Sequence, residues 1–446
     1  MKNLYLTSVG IIFLCILIWL QAEPDLLNNS TLMQWRSPLI QITGIISTLL
    51  LTLVMILALR LPQIERLTAG LDKSYRLHKW LGIYAVVFGA IHWLLAIVPK
   101  QLVRYGVMER GAKPNLTIDP DSFYATIHSL RGGAESLGEW TLYLFIALIL
   151  IALFAPIKYQ RFKFIHKLMA ITFLFIAYHS LVLLKHAYWD DIITPIVIGT
   201  VVIGVFSALF SLFGLIGKRQ QYQGTVTSIQ YDEQNKTTLI DIDAPKWPGH
   251  TSGQFAFLTL AGEEPHPFTI TAAGGSKGNT QRNRTSVQFL VKALGDFTST
   301  IHQRLEIGKK VTVEGPYGHF NFNDNKPQIW VAGGIGCAAF KARLAELKQL
   351  DRPEPILFYY CTENPSPQLI RDLESATYGT NVEFHVVDNR LHDFLTIGDI
   401  KRHNGDILHS SVWFCGPTTF STAIQQQLRD EHFDMQHFHT ELFDFR

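Results

Sequence analysis

The first 217 residues contain six apolar segments, at about 4–20, 39–59, 80–98, 140–155, 163–184 and 192–216, separated by polar links. Hydrocarbon offers no partner to a backbone N–H or C=O, so segments of this kind can cross a bilayer only as helices that satisfy their own hydrogen bonds. Most reach the ~17–25 residues needed to span ~30 Å at 1.5 Å per residue. The fourth is short in its apolar core. The expectation for residues 1–217 is an all-α bundle of six membrane helices.

Charge divides the chain at the same place. Residues 1–217 carry 17 Lys/Arg against 11 Asp/Glu, a net of +6, and residues 218–446 carry 22 against 26, a net of −4. Charged residues make up 17% and hydrophobic residues 48%, which excludes a disordered chain. No basic patch is interleaved with stacking aromatics, so nucleic acid is not an expected partner. Four cysteines (Cys15, Cys337, Cys361, Cys415) without a C-x-x-C pair argue against zinc, an iron–sulfur cluster or a disulfide framework.

Lys and Arg set the expected orientation. Arg60, Arg66, Lys73, Arg76 and Lys79 lie between segments two and three, and Lys158, Arg161, Lys163 and Lys167 between four and five. Lys218 and Arg219 follow segment six, and Lys2 precedes segment one. All fall on one side, which is then cytoplasmic, with the 99–138 loop outside. The lipid bilayer is thus an expected partner, in a bacterial inner membrane with the second half cytoplasmic. A signal peptide is the competing reading of residues 1–22, although the apolar run is long for one and Leu20-Gln21-Ala22-Glu23 makes a poor cleavage site.

Histidine is costly in hydrocarbon and marks function there. Segment three is flanked by His78 and contains His92, 14 residues on; segment five contains His166 and His179, 13 apart. Each interval is about 20 Å along a helix, so two adjacent helices present one histidine level near each leaflet. Imidazole is a strong axial ligand of haem iron, and four at two levels would hold two bis-histidine haems. On an ideal helix His78 and His92 are about 40° apart, but His166 and His179 about 140° apart, so segment five is expected to be tilted or distorted, or to present its histidines differently. The alternative for such histidines is helix capping or hydrogen bonding between spans. Arg36, before Ser37 and Pro38, is read either as a snorkelling interfacial arginine or as a group beside an outer haem, countering a propionate or attracting a small anion.

After residue 217 the pattern changes. Short alternating runs such as Gly224–Ile229, Gln254–Leu260 and Val287–Lys292 predict a small antiparallel β-barrel over residues 218–325. From 326 to 446 strands alternate with helices (Ile329–Ala332, Ile356–Tyr360, Val382–Val386, Val412–Phe414), as in a doubly wound parallel α/β sheet whose ligands sit at the strands' carboxyl ends. Gly333-Gly334-Ile335-Gly336 at one such end lets a pyrophosphate approach backbone amides. Cys415-Gly416-Pro417 at another can bring a thiol beside a nicotinamide, or Cys415 is plain core packing. Pro267 in His266-Pro267-Phe268-Thr269 disfavours a central strand.

Taken in order along the chain, these features resemble the ferric reductase and NADPH oxidase superfamily of transmembrane flavocytochromes b. The resemblance implies that His78 and His166 bind an inner b-type haem, and His92 and His179 an outer one. His266-Pro267-Phe268-Thr269 is similar to the family's FAD-binding motif, and Gly295-Asp-Phe-Thr298 and Gly315-Pro316-Tyr-Gly318 to its next two landmarks. Gly333-Gly334-Ile-Gly336 and Cys415-Gly416-Pro417 are similar to its nicotinamide-site motifs, Glu441-Leu-Phe443 to a stretch whose aromatic covers the flavin, and Arg36 with Pro38 to an arginine near the outer haem.

Three positions depart from the family pattern. Ala96 stands where its oxidases often carry a second histidine, Cys337-Ala338-Ala339 where threonine and proline are usual, and Thr362 with Glu363 where an arginine would clasp the 2′-phosphate of NADPH. A carboxylate there suits a ribose hydroxyl, and hence NADH, with Arg390 as the counterweight. The resemblance implies an NAD(P)H-dependent oxidoreductase that passes electrons through FAD and two b-type haems to a small external acceptor, a ferric chelate or dioxygen. Two alternatives are a haem-free membrane-anchored flavin reductase and an electron-delivery subunit for a periplasmic protein acceptor.

Overall fold

The computed structural model describes residues 2–29, 31–109, 118–154, 159–274, 285–348, 354–391, 394–404 and 407–441. It divides into two compact units, Met1–Thr68 with Lys73–Ile216, and Gly217–Arg446 with Ala69–Asp72.

The first unit is helical: α1 (Lys2–Gln21), α2 (Leu32–Leu57), α3 (Pro62–Thr68), α4 (Leu71–Arg104), α5 (Phe123–Ser129), α6 (Arg131–Phe154), α7 (Tyr159–Val182) and α8 (Ile193–Leu212). Among the described residues five are long and apolar enough to cross a membrane: α2, α4, α6, α7 from Arg161, and α8. The described apolar stretch of α1, Leu6–Gln21, is shorter. Hydropathy alone misplaced several ends. A Thr31 capping box, its hydroxyl accepting from the Gln34 N–H, starts α2 seven residues early. Arg36, Ser37 and Pro38 therefore lie inside the helix rather than ahead of it. The helix of the third apolar segment, α4, runs 34 residues with Pro99 inside it.

In lipid the drive to associate comes from packing and interhelical hydrogen bonds rather than from apolar burial alone. Thr48 and Ser180 join α2 to α7 at 2.8 Å, Ser47 donates to the Ala85 carbonyl at 2.9 Å, and Thr52 to that of Thr200 at 3.2 Å. The α1 helix is fastened at its far end, where the Trp19 indole donates to the Tyr188 hydroxyl at 2.9 Å. Glu23 just beyond accepts from Tyr188 (2.5 Å) and Lys185 (2.6 Å). Trp19 and Tyr188 are buried with Leu50 and Phe173 in this unit's core.

The second unit begins with a six-stranded antiparallel sheet: β1 (Gln221–Asp232), β2 (Thr237–Asp243), β3 (Phe255–Leu260), β4 (His266–Thr269), β5 (Ser286–Lys292) and β6 (Lys310–Tyr317), with α9 (Asp296–Arg304) between the last two. The order is β4-β3-β6-β1-β2-β5. The two edges meet at a single bridge between Ile270 and Phe289. Alternate residues such as Val226, Ile240, Ile242, Leu258, Val287 and Val313 form its core. Pro267 lies on edge strand β4, where a missing N–H costs no ladder bond.

A parallel sheet follows: β7 (Gln328–Gly333), α10 (Cys337–Leu347), β8 (Ile356–Thr362), α11 (Pro367–Thr377), β9 (Val382–Asp388), α12 (Ile397–Asn404), β10 (Ser411–Cys415), α13 (Thr418–Asp430) and β11 (Phe438–Thr440). Its order is β11-β10-β7-β8-β9. β7 and β8 are buried along their whole length, as a strand covered on both faces must be. Phe320 and Phe322, on the antiparallel-sheet side of the expected boundary at 325, pack into this core with Trp330, Phe340 and Trp413.

Candidate functional site

In the membrane unit, α7 packs directly on α2, α6 and α8, while α4 meets it through two pairs of rings. His78 faces His166 with ring centroids 5.8 Å apart, and His92 faces His179 at 6.0 Å. Two imidazoles that share one iron, each bonding it at about 2 Å through a ring nitrogen, have centroids about 6 Å apart. The spacing is compatible with two imidazoles on one metal, and equally with a tilted or edge-to-face ring contact. Among the described residues no cluster of three His, Cys, Asp or Glu side chains is gathered for a bare ion.

Nδ1 of three of the four rings is paired. His78 Nδ1 donates to the Val54 carbonyl at 2.9 Å, His92 Nδ1 to Ile40 at 2.8 Å, and His179 Nδ1 to Ala134 at 2.8 Å. That bond fixes the tautomer, so Nε2 carries the lone pair a metal needs. His166 differs: among the described residues its buried Nδ1 has no hydrogen-bond partner, and the ring stacks on Phe162 at 5.2 Å. The interplanar angles differ too, 53° at the His78 level and 75° at the His92 level. The two α7 histidines thus meet their partners at different ring angles. The carbonyl partners left no signal in the sequence, because backbone atoms have no residue type.

The Arg36 guanidinium donates to the carbonyls of Leu95 (3.0 Å) and Ala96 (2.9 Å), one turn beyond His92 on α4. It is half-buried against protein at the His92 end of the bundle rather than reaching freely toward headgroups. Beside His92 and His179 lies an apolar cavity of about 170 Å³ between α1, α2, α7 and α8, with Gln41, Gly44 and Thr48 on its wall.

In the second unit three motifs converge on β3. Phe255 pairs with Thr269 of the His266-Pro267-Phe268-Thr269 strand on one side and with Tyr317, beyond Gly315 and Pro316, on the other. The His266 ring stacks on Phe297 of the Gly295–Thr298 turn, 3.7 Å between centroids and 12° between planes. Burial pulls the His266 imidazole below its ordinary pKa, against the opposing charges of Glu263 and Glu264.

The two glycine motifs of the parallel sheet lie backbone to backbone. Ala332 and Cys415 are register partners on β7 and β10. A Cβ at Gly333 would fall 2.7 Å from Pro417 Cδ, one at Gly416 would fall 2.9 Å from Gly333 Cα, and one at Gly336 would overlap the Cys415 carbonyl. Side chains are excluded at all three for want of room. Gly334 differs: it holds φ +55°, and its nearest neighbour is Lys292 Nζ, 3.9 Å from where a Cβ would stand. Gly334, Lys292, Thr362 and Tyr360 line one small cleft. A glycine turn opening α10 with an ammonium across open space has the chemistry of a phosphate cradle. Lys292 was missed because it ends a strand of the antiparallel sheet, far along the chain from the glycines it faces.

Cys415 is buried, and burial, with Glu441 next in effect, pushes its thiol well above the usual range. Phe443 lies outside the described residues, whereas Glu441 is described and stands with an oxygen 3.0 Å from the position of a Gly318 Cβ. Thr362 is buried at the end of β8 and Glu363 beside it is exposed. Arg390 is already engaged: its Nε and Nη2 donate to the two Asp388 oxygens at 3.0 and 2.7 Å.

Residues 43–177 match the family described as ferric reductase like transmembrane component. The chain is 25% identical over 183 residues to the reductase component of propane 2-monooxygenase from Mycolicibacterium smegmatis, covering 37% of this chain and 51% of that protein. It is 25% identical over 180 residues to the glycine betaine monooxygenase reductase subunit of Chromohalobacter salexigens, covering 35% and 47%. The chain thus spans about half the length of these curated relatives. Among solved structures, ferredoxin-NADP+ reductase from Plasmodium falciparum superposes with a TM-score of 0.43 at 16% identity, over 51% of this chain and 97% of that one.

Proposed function

We propose, from a chain that has the architecture of the ferric reductase and NADPH oxidase superfamily, that the protein is a transmembrane oxidoreductase. It moves electrons from a nicotinamide nucleotide on the cytoplasmic side to a small acceptor outside. The observation that carries this reading is the two opposed histidine pairs at 5.8 and 6.0 Å, one at each end of the same two helices. FAD when bound accepts a hydride and releases single electrons, and b-type haems carry those electrons one at a time.

The residues have separate tasks. His78 with His166, and His92 with His179, would each hold one haem iron, which would supply one-electron transfer. Val54, Ile40 and Ala134 fix three of the rings in the ligating tautomer. Gly334 and Lys292 would bind the nucleotide pyrophosphate, and Cys415, on its close-packed turn, would border the nicotinamide. His266, Phe297 and the Gly315-Pro316 strand form the wall for FAD. The acceptor we favour is a ferric chelate or dioxygen. Trp19, Glu23 and Tyr188 hold α1 to the bundle.

The direct test is the absorption spectrum of the purified, haem-loaded protein with its pyridine haemochrome. About two b-type haems per chain is the expected result, and a protein that binds none after loading contradicts the reading. The nucleotide site makes a separate prediction. With Arg390 held by Asp388, Glu363 meets a 2′-phosphate without a compensating guanidinium, so NADH is the preferred donor. Glu363→Arg is expected to move the ratio of kcat/KM values toward NADPH by roughly tenfold or more, about 1.4 kcal/mol. A wild-type preference for NADPH would show that another group supplies the contact.

A further inference from the structure

Two glycines in the membrane unit have no role in the reading above. A Cβ built on Gly44 of α2 would lie 3.1 Å from both Nδ1 and Cε1 of His92. One built on Gly138 of α6 would overlap the His179 ring, with Cγ 2.8 Å away. Each glycine stands four residues after the carbonyl its histidine uses: Ile40 before Gly44, Ala134 before Gly138. In an α-helix the carbonyl of residue i already accepts from the N–H of residue i+4. A second donor must enter past the side chain at i+4, and glycine leaves that approach open.

The same level carries a second matching feature. One turn before the carbonyl on each helix sits an arginine, Arg36 on α2 and Arg131 on α6. Arg36 donates to Leu95 and Ala96, and Arg131 to Val182 at 3.4 Å, carbonyls three or four residues beyond His92 and His179. The other level is built without this device. His78 donates to Val54 at the end of α2, whose carbonyl also accepts from the Ala58 N–H at 3.3 Å, so this level keeps a methyl where the other has glycine. Among the described residues His166 has no Nδ1 partner.

We infer that Gly44 and Gly138 are positioning residues for the outer haem alone. Each opens a helix carbonyl to the ring N–H of one outer ligand, and the arginine one turn away pins the turn beyond that ligand. The inference rests on the bis-histidine reading and deepens it. The outer site is held by two rings with fixed tautomers, whereas the inner one has a single fixed ring and one, His166, positioned by stacking on Phe162.

The test uses the full-length protein, loaded with haem and purified with FAD. Three properties are read: haem per FAD by pyridine haemochrome, the low-spin ferric EPR signals, and the two midpoint potentials. Gly138→Ala is expected to lower haem from about two to about one per FAD and to remove one EPR signal. Gly44→Ala, whose contact is milder, keeps both haems and shifts one EPR signal and one midpoint while the other stays. Gly132→Ala, on the same helix with nothing within 4 Å of its Cβ, matches the wild type. Wild-type signals and potentials in both Gly44→Ala and Gly138→Ala would overturn the inference, as would loss of both haems together in Gly44→Ala. A wild type without haem after loading is read separately and removes the bis-histidine reading itself.

Discussion

His92→Leu abolishes reduction of external acceptors while leaving the bleaching of bound flavin by NADH at its wild-type rate. The His92 ring faces His179 at 6.0 Å, and its Nδ1 is committed to the Ile40 carbonyl, so one nitrogen is left for a metal. Removing only the outer partner of a ligating histidine costs about 10–100-fold in metal affinity or activity. Removing the ligand costs more, and acceptor reduction should fall by on the order of 100-fold or beyond. Leucine fills a similar volume and His92 is half-buried, so helicity and FAD content should be unchanged. Stopped-flow traces of flavin and of acceptor, recorded side by side, check the prediction. Equal survival of both activities would mean that these histidines only join helices.

Gly336→Ala produces the complementary phenotype. A Cβ at this position overlaps the Cys415 carbonyl, and the atom in the way is backbone, which cannot rotate aside. Relieving the overlap separates the α10 turn from the β10 turn, and with it the pyrophosphate cradle from Cys415. Overpacking of this kind costs about 1–3 kcal/mol of stability, and a displacement of about 1 Å in a positioned site costs roughly 100-fold in rate. NADH-dependent flavin reduction should therefore fall about 100-fold, while dithionite still reduces every haem to the wild-type extent. Activity within twofold of wild type would show that the two turns move independently.

The sequence disclosed those parts of the molecule that repeat or that carry a distinctive residue. Apolar runs located the crossing helices, and the 14- and 13-residue intervals located four rings that the structure brings into two pairs. Ends were less legible, because hydropathy ignores caps: Thr31 and Gln34 begin α2 well before its apolar run. The carbonyls behind the histidines were invisible, and Gly44 and Gly138 looked like ordinary small residues in membrane helices, since their meaning depends on which helix lies opposite. Charge was misjudged where neighbours decide it. Arg390 was read as a counterweight to Glu363 but is held by Asp388, while Lys292, unmarked in its strand, faces the Gly334 turn. Phe320 and Phe322 lie before the expected boundary at 325 yet pack into the parallel sheet's core, a long-range contact that hydropathy does not encode.

The most direct measurement is an anaerobic absorption spectrum of the haem-loaded protein, followed in time after NADH is added. Flavin absorbance should bleach first, and the b-type bands of both haems should then sharpen to the level dithionite produces, with His92→Leu stopping at about half of that change. Flavin that bleaches fully while loaded haem remains oxidised would contradict the account, because the four histidines would then lie off the electron path.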